Sequence, residues 1–436
     1  MPEHRLWKHG PNYAADAVVF NGEKLLLIQR SSDDWALPGG FVDDSETPLQ
    51  AARREVLEET GFIVVEAAAP VYTGRVNDPR ADDERWIETT AYLFEVNSGC
   101  SVQGNDDAKD ARWWPLDELP PLYGSHQVLV ERALLRRELM GAETEDAPGG
   151  HMGYDYRLHQ TTRGSLFSKQ HVPNRYATSK QANDARRYLS KEAGLLQHLA
   201  EQRYEAIPAH ATHFDDLLVL EGLPTHEGWH WRAPREANER ERYIQDVLTS
   251  LTNLEQVDAA VTDTITPSII SFMEEGWDAL AEPDVEQQVD NIITRLLPSL
   301  QPATAEAASQ LLAHLPELIE AGRALEVAPT TSLAHHDARQ ANVAWHPKYG
   351  VKIVDWSWAG PGMKRADTTA FLVDLAKSGH DVSPYLADYF NPAYARLLIG
   401  FWLGHSVRPA RPGYESVRLH QVASAATAYK LVTADA

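Results

Sequence analysis

Residues 13–30 read as two apolar stretches, AADAVVF and KLLLIQ, folded back at Asn21-Gly22, and predict a β-hairpin. An amphipathic pattern over 48–60, ended by Gly61, predicts a helix. Short apolar runs at 63–65, 87–96 and 111–114 predict strands, and 125–140 predicts a further helix. The pattern then lapses. GAETEDAPGGHMG, residues 141–153, is rich in Gly, Ala, Pro and acids, has no apolar period, and reads as a linker. Beyond it, 154–172 and 215–221 predict strands, whereas 182–199, most of 240–325, 369–404 and 414–432 predict helices. No internal repeat or long low-complexity tract interrupts this order. The pattern predicts an α+β chain of two domains, the second with a helical lobe, divided as 1–142, a linker at 143–153, and 154–436.

Composition narrows what such a chain binds. Its 436 residues exceed one ordinary core, and 43% hydrophobic with 24% charged residues suits a soluble globular protein. Lysine plus arginine number 40 against 63 acids, a formal charge of −23 that repels nucleic acid and anionic membrane. Phosphate-bearing ligands would instead be reached through divalent cations held by carboxylates. The single cysteine, Cys100, excludes an intrachain disulfide framework and a multi-thiolate zinc site. No long uncharged apolar run occurs and the opening MPEHRLWKHG has no signal-peptide core, so the expectation is a cytoplasmic protein.

The strongest chemical signal is GGFVDDSETPLQAARREVLEETGF, beginning at Gly39. Glu55, Glu58 and Glu59 stand at i, i+3 and i+4, which puts three carboxylates on one helix face. Like charges so close repel unless cations neutralise them, and hard oxygen ligands suit Mg²⁺ or Mn²⁺. Gly39 and Gly40 let the loop backbone approach such a metal, so a carbonyl there is a further ligand candidate. Arg54 and Glu46 are read as an ion pair fixing loop against helix, and Ala52, Val56 and Leu57 as core-facing. A solvated acidic face is the alternative for the glutamates alone. The spacing from Gly40 through Glu46 to Arg54-Glu55-Val56-Leu57-Glu58-Glu59-Thr60-Gly61 matches the Nudix box and resembles Nudix hydrolases. With GPNYAADAVV, GRVNDPRADDERWIETTAYLF and GNDDAKDARWWPLDELPPLYGSHQ, residues 10–130 resemble the ADP-ribose pyrophosphatase branch. The resemblance implies an α/β/α sandwich and metal-assisted cleavage of a pyrophosphate link, releasing AMP and ribose 5-phosphate. By analogy Asp106 and Asp107 sit on a loop near the metals, where a distal acid completes the site, and Glu88 is a further candidate base or else a strand carboxylate paired with arginine. Asp78 and Arg80 are candidate ribose or phosphate contacts, or shape the turn at Pro79, and Trp35, Tyr72, Trp86 and Tyr123 are candidate stacking partners for adenine or else core and rim packing.

A second constellation lies in LAHHDARQANVAWHPKYGVKIVDWSWAGPGMKRAD, residues 333–367. Asp337 precedes Asn342 by five residues and Asp355 by eighteen, with a short hairpin between. This arrangement resembles the catalytic segment of aminoglycoside phosphotransferase and choline kinase-like enzymes. The resemblance implies a bilobal protein kinase-like fold over roughly 154–405, with ATP as co-substrate. Asp337 would accept the proton of an acceptor hydroxyl, while Asn342 and Asp355 would hold Mg²⁺ against the phosphates. Upstream, Lys169 in GSLFSKQHV would clamp phosphates and Glu192 in SKEAGLLQHL would pair with it; LLVLEGLP, from 217, resembles the adenine-holding hinge. Asp367 matches a structural aspartate. The chain departs from the family at His336, where glycine is usual, at Arg339, and in having no clear glycine-rich loop before Lys169. His335 and His336 lack a third spaced ligand and read as packing or supporting residues rather than a metal site.

Together these readings predict a bifunctional enzyme with small-molecule nucleotides as partners: a Mg²⁺-dependent hydrolase of ADP-ribose or a relative, fused to an ATP-dependent small-molecule kinase. Two alternatives stand beside it. The C-terminal domain would be an ATP-binding pseudokinase regulating the hydrolase, or the hydrolase would act on an NADH-like dinucleotide or an oxidised nucleoside triphosphate. Nudix domains of this branch are often dimeric, which makes a homodimer one assembly the resemblance allows.

Overall fold

The computed structural model describes residues 8–65, 70–97, 101–147, 153–176, 178–209, 211–259, 268–328, 331–409 and 415–434. Cys100 and residues 148–152 of the expected linker lie outside that set. The chain divides into two compact units. The first comprises residues 1–148, 155–173 and 212–219; the second comprises 149–154, 174–211 and 220–436.

The first unit is built on the expected hairpin, β1 (Gly10–Asn21) and β2 (Lys24–Gln29), which turns at Gly22 with φ +58°. Two short strands follow, β3 (Trp35–Ala36) and β4 (Gly39–Phe41), and then helix α1 (Pro48–Thr60). Thr47 and Gln50 form a reciprocal capping box at its start, and Gly61 ends it in the left-handed conformation at φ +69°. Strands β5 (Pro70–Val76), β6 (Arg85–Glu95) and β7 (Asp110–Pro115) and helix α2 (His126–Gly141) complete the layer. The seven strands form one sheet in which β1 runs parallel to β6, Gly10 opposite Arg85. Period-two alternation along β1 sends Ala15, Ala17 and Val19 to a core with Ala52 and Val56 of α1, and Val18 and Phe20 to another with Leu129 and Ala133 of α2. The result is an α/β/α sandwich.

Two local expectations fail. Residues 63–65 form no strand, and Ile63 and Val65 are 67% and 71% exposed: three residues released by the Gly61 cap have no edge to pair with. Leu57 is 46% exposed rather than core-facing, because Ala52 and Val56 already define the buried stripe of α1.

A second sheet, in the order β11–β12–β10–β9–β8, begins inside the expected linker with β8 (Glu143–Asp146), which pairs antiparallel with β9 (Asp155–Thr161). Its other strands are β10 (Gly164–Gln170), β11 (Ala211–Phe214) and β12 (Leu217–Glu221). Leu166, Phe214, Leu217 and Val219 join the same apolar cluster as Val18, Phe20 and Leu129, so the second sheet adds to the core on the α2 side of the first.

The second unit is mainly helical. Helix α3 (Ser179–Glu201), capped by Thr178, is followed by α4 (Ala237–Leu254) and α5 (Ser268–Met273). A π-helical turn, Glu274–Asp278, then brings Gly276 so close to Phe401 that a Cβ would lie 2.6 Å from its backbone nitrogen. The remaining helices are α6 (Val285–Leu296), α7 (Pro302–Ala313), α8 (Leu315–Arg323), α9 (Ala366–Lys377), α10 (Ser383–Tyr389), α11 (Pro392–Ser406) and α12 (Ser416–Ala434). Two small hairpin-like pairs sit among them: β13 (Leu333–Ala334) with β16 (Gly360–Pro361), and β14 (Val343–His346) with β15 (Gly350–Ile353).

Candidate active sites

In the first unit the box glutamates project from α1 toward the loop that carries β4. A Cβ on Gly39 would lie 2.7 Å from the Ala15 carbonyl oxygen and 2.5 Å from Asp16 Oδ1, which restricts that place to glycine, and one on Gly40 would push the Glu55 carboxylate aside. Gly39 N–H donates to Glu59 Oε2 at 3.0 Å. Arg54 is the local counter-charge: its guanidinium donates to Glu46 (2.6 Å), Glu55 (2.7 Å), Glu58 (2.9 Å) and the Phe41 carbonyl (3.0 Å). The expected Arg54–Glu46 pair therefore forms, and the same cation also spans two of the three box carboxylates. Glu59 is 5% exposed. Burial, aided by the charges of Glu55 and Asp107, pushes its carboxyl up to about 9, and burial raises Glu55 as well.

Among the described residues no three Asp, Glu, His or Cys side chains already converge as a metal cage. The donor set nevertheless suits a hard divalent cation. Arg54 meets Glu55 and Glu58 but not Glu59, and burial together with the neighbouring acids keeps Glu55 and Glu59 from ionising readily, an excess of carboxylate that a cation would relieve.

The other candidates separate. Asp107 lies close enough for its charge to raise both Glu55 and Glu59, whereas Asp106 is an exposed turn residue at φ +53°. Glu88 accepts from Trp86 Nε1 (2.9 Å) and sits opposite Arg75 in the β5–β6 register; no described contact joins it to the box glutamates. Arg80 donates twice to Asp78 at 2.8 Å, with Tyr123 O–H 3.5 Å from the same carboxylate. Each proposed aromatic already has a partner: Trp35 packs edge-on to Trp114, while Arg75, Arg132 and Arg30 lie over Trp86, Tyr72 and Tyr123.

Three residues escaped the sequence reading. Asp16 is buried behind Gly39, accepts from Thr89 Oγ1, and lies 3.7 Å from His126 Nε2. Leu37 N–H donates to His126 Nδ1 (2.9 Å), which leaves Nε2 as the protonated nitrogen facing Asp16. Arg30 stacks on Tyr123, and its charge acts on Glu59 and Asp78. The available signal was Asp16 itself, a lone acid inside AADAVVF.

The second unit assembles most of the second constellation. The β14–β15 hairpin pairs Val343 with Ile353, so its ends lie together and Val354 N–H donates to the Asn342 carbonyl (3.0 Å). That brings Asp355, left-handed at φ +66°, beside Asn342. Asn342 Nδ2 donates to the Asp337 carboxylate (2.7 Å) and carbonyl (2.9 Å), and Arg339 Nε reaches the same carboxylate at 3.1 Å. Asp367 accepts from the backbone N–H of His335 (2.7 Å) and His336 (2.8 Å) and thereby holds the loop ahead of Asp337. His336 has φ +64°, the region that explains why glycine suits this place. Both ring nitrogens of each histidine are engaged: His335 with Val354 O and Asp337 N–H, His336 with Tyr394 Oη and Pro361 O. Burial holds His336 below the usual imidazole range. Glu192 is buried on α3 and accepts from Trp356 N–H at 3.4 Å. Lys169 belongs to the first unit, buried on β10 opposite Tyr156.

Comparison with known proteins separates the same two regions. Residues 10–133 match the NUDIX domain model and residues 145–399 match the phosphotransferase enzyme family model. A putative nudix hydrolase 6 of Caenorhabditis elegans is 35% identical over 145 residues, 29% of this chain and 56% of that protein. An ADP-ribose pyrophosphatase of Methanocaldococcus jannaschii is 34% identical over 136 residues, 30% of this chain and 77% of that protein. The NUDIX domain of Shewanella oneidensis NrtR, solved with ADP ribose, shares 29% identity over 29% of this chain and 89% of that one, with a TM-score of 0.26. The chain thus spans little more than half the length of the nematode relative. No helix among the described residues is long and apolar enough to cross a membrane. The chain belongs to the Nudix family through residues 10–133 and to the phosphotransferase enzyme family through residues 145–399.

Proposed function

We propose that the Nudix part hydrolyses the pyrophosphate link of ADP-ribose, or a closely related nucleoside diphosphate compound, in a Mg²⁺-dependent reaction. The observation that carries this is the set of three carboxylates on one helix face, Glu55 against Gly40, Glu59 accepting from Gly39 N–H, and Glu58 joined to Glu55 through Arg54. Glu55, Glu58, Glu59 and the Gly39 carbonyl would hold the metal, which polarises the phosphoryl oxygens and acidifies its bound water. Arg54 fixes the spacing of Glu55 and Glu58, Gly39 N–H orients Glu59, and Asp107 adds negative charge where the cation is needed. Asp78, Arg80, Tyr123 and Arg30 form a linked group that suits contact with the substrate's ribose or phosphates. The name of the Methanocaldococcus relative supports ADP-ribose as the substrate. Incubation with Mg²⁺ and ADP-ribose should yield AMP and ribose 5-phosphate, and Glu58→Gln should slow this at least about 100-fold. A folded, Mg²⁺-binding protein that leaves ADP-ribose intact but cleaves another dinucleotide or a nucleoside triphosphate would overturn the substrate assignment.

The phosphotransferase part is proposed to transfer a phosphoryl group from ATP to a small hydroxyl compound. Asp337 would take the hydroxyl proton, and Asn342 and Asp355 would hold the metal at the phosphates. The contact of Asn342 with Asp337, and the hairpin that sets Asp355 beside them, support this reading. ATP consumption lost in Asp337→Asn would bear it out; ATP binding without turnover in the unaltered chain would favour the regulatory alternative. We keep the boundary between the two parts at 143–153.

A further inference from the structure

The carbonyl of Gly39 owes its direction to the ladder between β1 and β4. Val42 N–H donates to the Tyr13 carbonyl (3.0 Å) and Ala17 N–H to the Pro38 carbonyl (2.8 Å), and between them Asp16 lies opposite Gly39. Hydrogen-bonded and non-hydrogen-bonded pairs alternate along an antiparallel ladder, so Asp16–Gly39 is a non-hydrogen-bonded pair. At such a pair the two residues approach most closely, and the N–H and C=O of each turn away from the partner strand. Gly39 shows both consequences. A Cβ on it would lie 3.1 Å from Asp16 Cα, and its N–H leaves β1 for Glu59 Oε2 (3.0 Å). Its carbonyl therefore opens to the same side as the box.

A strand of three residues is weakly held by its own ladder, and Pro38 ahead of it has no N–H to give. The support comes from the start of α2. Tyr123 N–H donates to the Trp35 carbonyl (2.8 Å), and Leu37 N–H donates to His126 Nδ1 (2.9 Å). Ser125 Oγ donates to the Asn77 carbonyl (3.0 Å) and accepts from Asn77 N–H (2.8 Å), which ties the helix start to the segment after β5. Asp16 Oδ1, 3.7 Å from His126 Nε2, favours the proton on that nitrogen and so keeps the Nδ1 lone pair for Leu37. Leu37 stands two residues before Gly39, and the fixed φ of Pro38 carries its placement forward.

The geometry points to His126 as a positioning residue that sets the Gly39 carbonyl for the metal through Leu37 N–H, with Asp16 holding its tautomer. The role rests on the Nudix reading of that carbonyl as a ligand. It is tested by Mn²⁺ binding to the full chain without nucleotide, followed by loss of the free-ion EPR signal; Glu58→Gln, which lacks a box ligand, gives the background. His126→Leu should weaken the box's Mn²⁺ binding about five-fold or more, as for one lost hydrogen bond. His126→Asn, whose Oδ1 can accept in place of Nδ1, should stay within about two-fold of the unaltered chain. Should His126→Leu fail to fold by circular dichroism, Asp16→Asn takes its place with a smaller loss of the same sign. Unchanged Mn²⁺ binding in the folded variant, or equal weakening in His126→Leu and His126→Asn, overturns the proposal alone. Mn²⁺ binding by the unaltered chain no stronger than in Glu58→Gln overturns the metal reading of the box and this role with it. ADP-ribose hydrolysis is read separately: its absence beside the expected Mn²⁺ pattern overturns the substrate and supports the role of His126.

Discussion

At the scale of single residues, Glu59 couples the box to the stability of the fold. Its folded pKa of about 9 lies above its unfolded value, because burial and the charge of Glu55 both disfavour the ionised form. The stability it contributes is therefore fully present below about pH 4.5 and is lost as pH rises through about 9. Metal-free protein should melt at progressively lower temperature between about pH 5 and about pH 9, and Mg²⁺ should raise the melting temperature more at the alkaline end. Glu59→Gln should flatten the Glu59 contribution to both trends; a wild-type slope that the variant leaves unchanged would assign it to another group. The three box glutamates were legible because their spacing is a property of the helix alone. Asp16 and His126 were not, since they meet only when β1 and α2 are placed on one sheet, 110 positions apart in sequence. The paired histidines show the reverse case: their lack of a third ligand was visible in sequence, but their four ring-nitrogen partners, drawn from Asp337, Val354, Pro361 and Tyr394, were not.

Among the elements, α1 was the most readable, since its start, its stop and its charged face are all local. The structure adds the reciprocal Thr47–Gln50 cap, and Thr47→Ala should cost about 1 kcal/mol, measured by urea unfolding. The loop ahead of the helix is less forgiving. Gly40→Ala should cut ADP-ribose hydrolysis more than about ten-fold by displacing Glu55, while moving the unfolding midpoint less than Val56→Ala does. Equal loss of stability in both variants would make Gly40 a packing glycine only. Strands were harder to read where their partners came from far away. β5 was missed because PVYTGRV mixes polar and apolar positions and is held by the long register with β6. Residues 63–65 looked like a strand by composition and found no edge. Composition alone does not supply a pairing partner.

Over the whole molecule, family matching and compactness divide the chain differently. Residues 155–173 and 212–219 fall inside the phosphotransferase match, yet their apolar side chains complete the core beneath α2. Phe214 is 1% exposed, and the guanidinium of Arg132 lies 4.9 Å from its ring and 5.2 Å from that of Tyr72. Arg132 also donates to the Val71 and His213 carbonyls. Phe214→Ala should therefore cost about 3–5 kcal/mol and lower the temperature at which ADP-ribose hydrolysis fails, although Phe214 lies far along the chain from the box. An unchanged inactivation temperature would show that the Nudix core closes without it.

This shared core also sets an order of events during synthesis. Residue 141 ends α2, but the last contributor to its apolar cluster is Val219, 78 positions later. At about 5–20 residues per second, a ribosome leaves the underside of α2 uncovered for roughly 4–16 s. During that interval the nascent protein presents a greasy, half-roofed sandwich to chaperones and to its neighbours on the polysome. A stall or rare-codon run between positions 141 and 219 would lengthen that exposure. The yield of sound N-terminal fold would then depend on how quickly the ribosome clears a stretch that carries none of the box glutamates.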